Sequence, residues 1–471
     1  MKITHIWLVA SVMFGLASSA GAKANIHNKP VPKFVKDDVV VFIGDSITHG
    51  GSYHKDIFLF NATRYPDKPF KYYNAGISGD TAKGTIKRFE QDIAIHKPTK
   101  STIMLGMNDV GSWLYQKVPS TTKEQQEQKK QQAVVREDYM ANMRTIADAL
   151  AQMNSDIVFI TPSIYDQTAV LKTFNNFGRN DELAVYGKEL TELAVQYQAS
   201  VVDFQTPMLT INKKWQDIDP SRTIVGVDRV HPKDKGHFLM AYSFLKAQDE
   251  STFVADIQID AKQQAITRMY NSTLTQDPEF SATQITFSCE QKAIPFPVEG
   301  QQLALLSDIP FQQELNQQRL VVKGLTDGNY QLKIGDIAVG HYSPAELAAG
   351  VNLAFNKNTP MYQQALAVKA MNDERAKASG TLRNIKHVEF TMLSKYPQTN
   401  LADMQQVANV LAAHLKLSEG KPWHGYLQGL VATYLESSTE EKNLRQKIED
   451  LFTKIYQINQ TKSYVWQITK I

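Results

Sequence analysis

Between Lys36 and about Leu245, short apolar runs alternate with stretches of helical periodicity. The runs are Val39–Ile43, Phe70–Tyr73, Ser101–Leu105, Asp156–Thr161 and Ser200–Phe204. Each is rich in β-branched or aromatic residues and closes on Gly, Asn, Asp or Pro, the mark of strands buried on both faces of a parallel sheet. Val135, Tyr139, Met143, Ile146, Leu150 and Met153 recur at three- to four-residue spacing and predict a helix over 134–153, with a second over 183–198. The pattern predicts a three-layer α/β/α domain of five parallel strands. The stretch Lys123–Gln132 holds no apolar residue and reads as a solvated helical extension or a loop.

Past about Glu250 the pattern changes. Over 280–345, alternating runs such as Leu320–Val322 and Tyr330–Ile334 flank turn residues at Thr326–Asn329, which predicts a small β-sheet or sandwich. From Ser343 onward, helical spacing dominates, through 362–372, 401–417 and 442–458. A chain of 471 residues exceeds what one core organises. The expected division is a leader over 1–24, an α/β domain over 25–250, a β-rich module over 251–345 and a helical region over 346–471 that packs back on the first domain.

Lys2, the apolar run Ile6–Ala17 and the small residues Ser18 to Ala24 read as a secretory signal, too short to span a bilayer. The protein is therefore expected to be exported, periplasmic or secreted, with no membrane span. A single cysteine, Cys289, excludes an intramolecular disulfide and thiolate zinc sites. The formal charge of +3 gives no reason to expect nucleic acid as a partner.

Chemistry gathers at the predicted strand ends. Gly44-Asp45-Ser46-Ile47-Thr48 follows the first strand, where Gly44 permits a sharp turn and a helix from near Thr48 would aim its amides at Ser46. By itself the triplet also reads as a helix cap. Gly79, after the second strand, offers an unshielded N–H to an oxyanion. Asn108, in Gly106-Met107-Asn108-Asp109 after the third, offers a neutral amide donor. After the fifth strand, Asp228 and His231 lie three apart on one loop, so the carboxylate can hold one ring nitrogen while the other serves as a base. In an open α/β sheet all four positions meet beyond the strands' carboxyl ends.

These four blocks, in this order over residues 36–245, resemble the SGNH hydrolase superfamily, the GDSL-like esterases and lipases. The resemblance implies a flavodoxin-like sandwich, Ser46 as nucleophile, His231 as base and Asp228 as its orienting partner. It further implies an oxyanion hole of Ser46 N–H, Gly79 N–H and Asn108 Nδ2. The implied chemistry is ester hydrolysis through an acyl-Ser46 intermediate, with no metal or organic cofactor required. Leu325–Gly340, Tyr342–Leu347 and Asn358–Pro360 are similar to extensions that follow SGNH domains in exported bacterial proteins thought to act on carbohydrates.

Trp113, Tyr115 and His49 are the candidate substrate-binding residues, the first two because aromatic faces near a catalytic loop suit sugar rings, His49 because it follows the nucleophile. The expected substrate is a short acyl ester, above all O-acetyl, on a glycan or small molecule. A lipase, lysophospholipase or thioesterase of the same fold, and a non-catalytic carbohydrate-binding envelope protein, are the competing readings.

Overall fold

The computed structural model describes residues 29–471, so the expected leader over 1–24 lies outside the described residues. The first five strands are β1 Val39–Gly44, β2 Lys71–Gly76, β3 Lys100–Met104, β4 Asp156–Ile160 and β5 Ser200–Val202. They form one parallel sheet in the order β2-β1-β3-β4-β5. β3 is buried at every position, and the one charge on it, Lys100, meets Asp38 Oδ1 at 3.1 Å. A strand covered on both faces must bury such a charge with a partner.

Seven helices belong to this half: α1 Ser46–His49, α2 Tyr53–Arg64, α3 Ala82–Asp92, α4 Thr122–Gln152, α5 Arg179–Gln196, α6 Gln205–Gln216 and α7 Asp234–Ala247. α7 packs with α2 and α6, while α4 packs with α3 and α5, giving a helical layer on each side of the sheet. The polar stretch Lys123–Gln132 is the first part of α4. It is started by a capping box in which Thr121 and Glu124 exchange side-chain and backbone hydrogen bonds of 3.2 Å. The chain order reverses at β1, and a crevice opens there beyond the strand ends.

Nine strands follow: β6 Phe253–Asp260, β7 Ala265–Tyr270, β8 Ser272–Phe280, β9 Gln284–Gln291, β10 Gln317–Lys323, β11 Tyr330–Ile334, β12 Ile337–Tyr342, β13 Val351–Asn352 and β14 Ser463–Lys470. They make a four-stranded sheet, β13-β10-β6-β7, and a five-stranded sheet, β12-β11-β14-β9-β8. β14 falls where helical spacing was expected to continue. Its alternation is short, with Trp466 and Ile468 turned into the core, and it follows a much longer helical pattern that dominates the reading.

The remaining helices are α8 Phe311–Leu315, α9 Pro344–Ala349, α10 Pro360–His387, α11 Met404–Lys416, α12 His424–Ser437 and α13 Glu441–Ile458. α10 lies against α2 and β2 and joins the two halves. Its Arg375 guanidinium sits 4.2 Å above the Tyr72 ring and 4.9 Å from that of Phe452, a buried charge held between aromatic faces. Phe58 of α2 meets Phe452 of α13 edge-on at 5.3 Å, so one apolar core runs across both halves. No helix among the described residues is long and apolar enough to cross a membrane.

Candidate active site

Ser46 is the first residue of α1, so the helix starts at the serine itself rather than near Thr48. Asp45 caps it, with Oδ1 accepting from the Ile47 N–H at 2.9 Å. Burial pushes the Asp45 carboxyl up to about 6, although the Ile47 hydrogen bond opposes that shift. The far end of α1 is tied to β2 by Asn74, whose Nδ2 donates to the carbonyls of Thr48 and His49 at 3.0 Å. Only a glycine lets the strand approach so closely at position 76, because a Cβ there would lie 2.3 Å from the His49 nitrogen.

His231 Nε2 lies 2.8 Å from Ser46 Oγ, and His231 Nδ1 lies 2.7 Å from Asp228 Oδ2. Asp228 Oδ1 also accepts from the backbone N–H groups of Val230 and His231, both at 3.1 Å. Burial alone would raise the Asp228 carboxyl. The ring and backbone donors outweigh it and hold the group well below the usual carboxylate range.

The turn between the two residues passes through Arg229 at φ 67°, a left-handed conformation that costs a non-glycine residue energy. Its guanidinium is buried and donates to the carbonyls of Asp166 at 2.9 Å and Ala169 at 3.0 Å, which anchors the loop. Nothing in the sequence pattern marked Arg229 for this part.

Gly79 also adopts a left-handed conformation, φ 80°, and no atom stands within 4 Å of where its Cβ would be. The space beside its Cα is therefore open. Asn108 Nδ2 donates to the Asp80 carbonyl at 2.8 Å, which fixes the amide plane and leaves its second hydrogen for another acceptor. Asp109 bonds the N–H groups of Ala82 and Gly106 at 2.8 and 3.0 Å, locking the two strand-end loops together.

Ser46, Gly79, Asn108 and His231 line one cavity of about 670 Å³. A serine hydroxyl bonded to an imidazole, itself held by a carboxylate, can pass its proton to the ring. Backbone and amide donors on the same cavity can hold a developing oxyanion.

His49 lines this cavity as well. Its Nδ1 accepts from the Ser78 N–H at 3.1 Å, which makes Nε2 the protonated nitrogen, 3.1 Å from Asn384 Oδ1. Burial, reinforced by His387 and Arg383, pushes the ring down to about 3 and keeps it neutral. Trp113 and Tyr115 do not line the cavity. The short turn Ser112–Tyr115 carries Tyr115 into the core and leaves Trp113 outside, 59 % exposed. The aromatic residues that line it are Trp423 and Tyr426, beside α10 residues Gly380 and Asn384. They stand more than three hundred positions from Ser46, and no local motif points to them.

Residues 42–239 match the GDSL-like lipase/acylhydrolase family. This half of the chain is an SGNH hydrolase. An acetylxylan esterase of Geobacillus stearothermophilus is 26 % identical over 233 residues, 45 % of this chain and 95 % of that protein. A solved structure of a gut microbial diltiazem-metabolizing enzyme superposes with a TM-score of 0.84 at 29 % identity. That match covers 94 % of this chain and 100 % of the other, so it takes in both the SGNH half and the C-terminal half. The protein is a carboxylic ester hydrolase.

Proposed function

We propose that the protein removes short acyl groups, above all O-acetyl, from a carbohydrate through an acyl-Ser46 intermediate. The observation that carries this reading is the aligned Asp228–His231–Ser46 contact, 2.7 Å then 2.8 Å, opening on the cavity that Gly79 and Asn108 line. Ser46 Oγ attacks the ester carbonyl while His231 Nε2 takes its proton. Asp228 holds the opposite ring nitrogen and stabilises the imidazolium. The N–H groups of Ser46 and Gly79 and Asn108 Nδ2 hold the oxyanion. Collapse breaks the C–O bond, His231 returns the proton to the departing alcohol, and water then attacks the acyl-Ser46 by the same route.

Two features support a small acyl group on a sugar. Among the described residues, the cavity wall contains no Leu, Ile, Val, Met or Phe side chain, so a long acyl chain finds no aliphatic channel there. The matched relative from Geobacillus stearothermophilus is an acetylxylan esterase. The leader pattern over 1–24 supports an exported location.

Acetate release from a panel of acetylated oligosaccharides, with diltiazem as a non-sugar comparison, tests the reading. Release that is lost in Ser46→Ala is the expected result. Release unchanged in that variant, or turnover that rises with acyl chain length, sinks it.

A further inference from the structure

The cavity at Ser46 is built by two halves of the chain that lie far apart in sequence. The SGNH half supplies Ser46, Gly79, Asn108 and His231, and the C-terminal helices supply Gly380, Asn384, Trp423 and Tyr426. Trp423 is 54 % exposed and Tyr426 is 47 % exposed, yet both border the same concave space. Large rings left half-wet beside a reactive serine are poorly explained by packing. They suit a ligand with one apolar face and polar edges.

Tyr426 is held in place. Its hydroxyl donates to Ser78 Oγ at 2.8 Å, spanning the gap between α12 and the loop that carries Gly79. Asn384 is held too. The tautomer that Ser78 imposes on His49 turns the Asn384 oxygen toward the His49 Nε2–H. Its Nδ2 then has no protein partner among the described residues and remains a donor at the cavity wall. Gly380 lies inside α10, where glycine costs about 1 kcal/mol against alanine. No atom stands within 4 Å of its Cβ position, so a side chain there would occupy the cavity.

We infer that the C-terminal helices form the subsite for the alcohol half of the ester. Trp423 and Tyr426 stack on the face of a sugar ring, Asn384 donates to a ring hydroxyl, and Gly380 leaves the ring its room. The SGNH half performs the cleavage, and α10 and α12 decide which acetate reaches it. The inference rests on Ser46 acting as an esterase nucleophile.

The test uses the full-length protein and two acetates, acetylated xylobiose and the ringless triacetin. The readout is the ratio of kcat/KM on the first to that on the second. Wild type prefers the sugar ester. Trp423→Ala lowers the ratio about ten-fold or more, chiefly through KM, as expected for loss of an aromatic anchor. Trp423→Phe recovers most of it. Gly380→Leu, a substitution that a helix favours, fills the space and lowers the ratio by a similar factor.

Ratios within about two-fold of wild type in both Trp423→Ala and Gly380→Leu, an equal fall on both acetates, or a wild type that prefers triacetin overturn the inference and leave the Ser46 reading standing. A wild type that cleaves neither acetate, or a Ser46→Ala variant as active as wild type, overturns that reading and this inference with it.

Discussion

Arg383 of α10 meets the Asp92 carboxylate of α3 with both guanidinium ends, Nη1 to Oδ1 at 2.5 Å and Nη2 to Oδ2 at 2.8 Å, and all of these atoms are buried. Burial alone would raise the Asp92 carboxyl, but Arg383 and Arg88 outweigh it and hold the group ionised far below the usual range. Arg383 Nε also donates to the Gly76 carbonyl at 3.2 Å, at the end of β2. The pair thus fastens the C-terminal helices to the strand end behind the active site. Arg383→Ala leaves a buried carboxylate short of one partner and is expected to cost about 3 kcal/mol. Urea unfolding reads that loss. Arg383→Lys recovers little of it, because an ammonium cannot span both oxygens. An unfolding midpoint unchanged in Arg383→Ala contradicts this role.

Asp228→Asn places an amide where His231 Nδ1 needs an acceptor, so the ring loses the tautomer that leaves Nε2 free to take a proton. A kcat loss on the order of 10³-fold or more on p-nitrophenyl acetate is expected, in a protein that still unfolds in one cooperative transition. A loss of only a few-fold rules out the orienting role.

Asn108→Ala removes a donor that an oxyanion needs more than a ground-state carbonyl does. The expected effect is a fall of about 10²–10³ in kcat with KM little changed. Should KM absorb the whole effect, Asn108 binds substrate and does not act on the oxyanion.

Trp113→Ala is expected to leave kcat/KM on both acetylated xylobiose and triacetin within about two-fold of wild type, because that ring faces solvent outside the cavity. A selective loss on the sugar ester in this variant would return the ring to the binding surface.

Acid is expected to destabilise the fold. Burial pushes His49, His54 and His237 down to about 3, and His96 and His387 down to about 4. Below about 6.5 the unfolded chain protonates these rings while the folded chain does not, so the unfolded state binds more protons and stability falls with pH. Asp45, raised to about 6, and Asp56 and Asp109, raised to about 7, work in the opposite sense, losing stability as pH rises through those values. Burial also lowers His414 and raises Glu389, and six rings against four carboxyls leave the first effect dominant. Calorimetry is expected to show Tm several degrees lower at pH 5 than at pH 7, and a Tm that rises on acidification contradicts the balance.

The sheet that carries Ser46 was legible because each of its strands is an apolar run covered on both faces, ended by a residue that turns the chain. Ser46 and Asn108 stood out for the same reason, since each directly follows such a strand, whereas Asp228 and His231 lie on a loop that α6 separates from β5 and stood out only by their three-residue spacing. Trp113 stands near Asn108 in sequence but not at the cavity, because the intervening turn carries the ring outward. Arg229 was hidden because its partners are carbonyls some sixty positions upstream. Asn384, Trp423 and Tyr426 were hidden because α10 and α12 reach the site only through tertiary packing, which helical spacing does not encode.

β14 lies between β9 and β11 in the second β-sheet, pairing Ser463 with Glu290 at one end and Lys470 with Tyr330 at the other. Its neighbours are therefore made long before it during synthesis. Until Ser463–Lys470 arrives, β9 and β11 each present an unpaired edge, the kind of surface that recruits strands from other chains. Closing the sheet is a late, long-range event, the slow kind in folding. A chain cut short before Ser463 is expected to aggregate rather than lose only its tail.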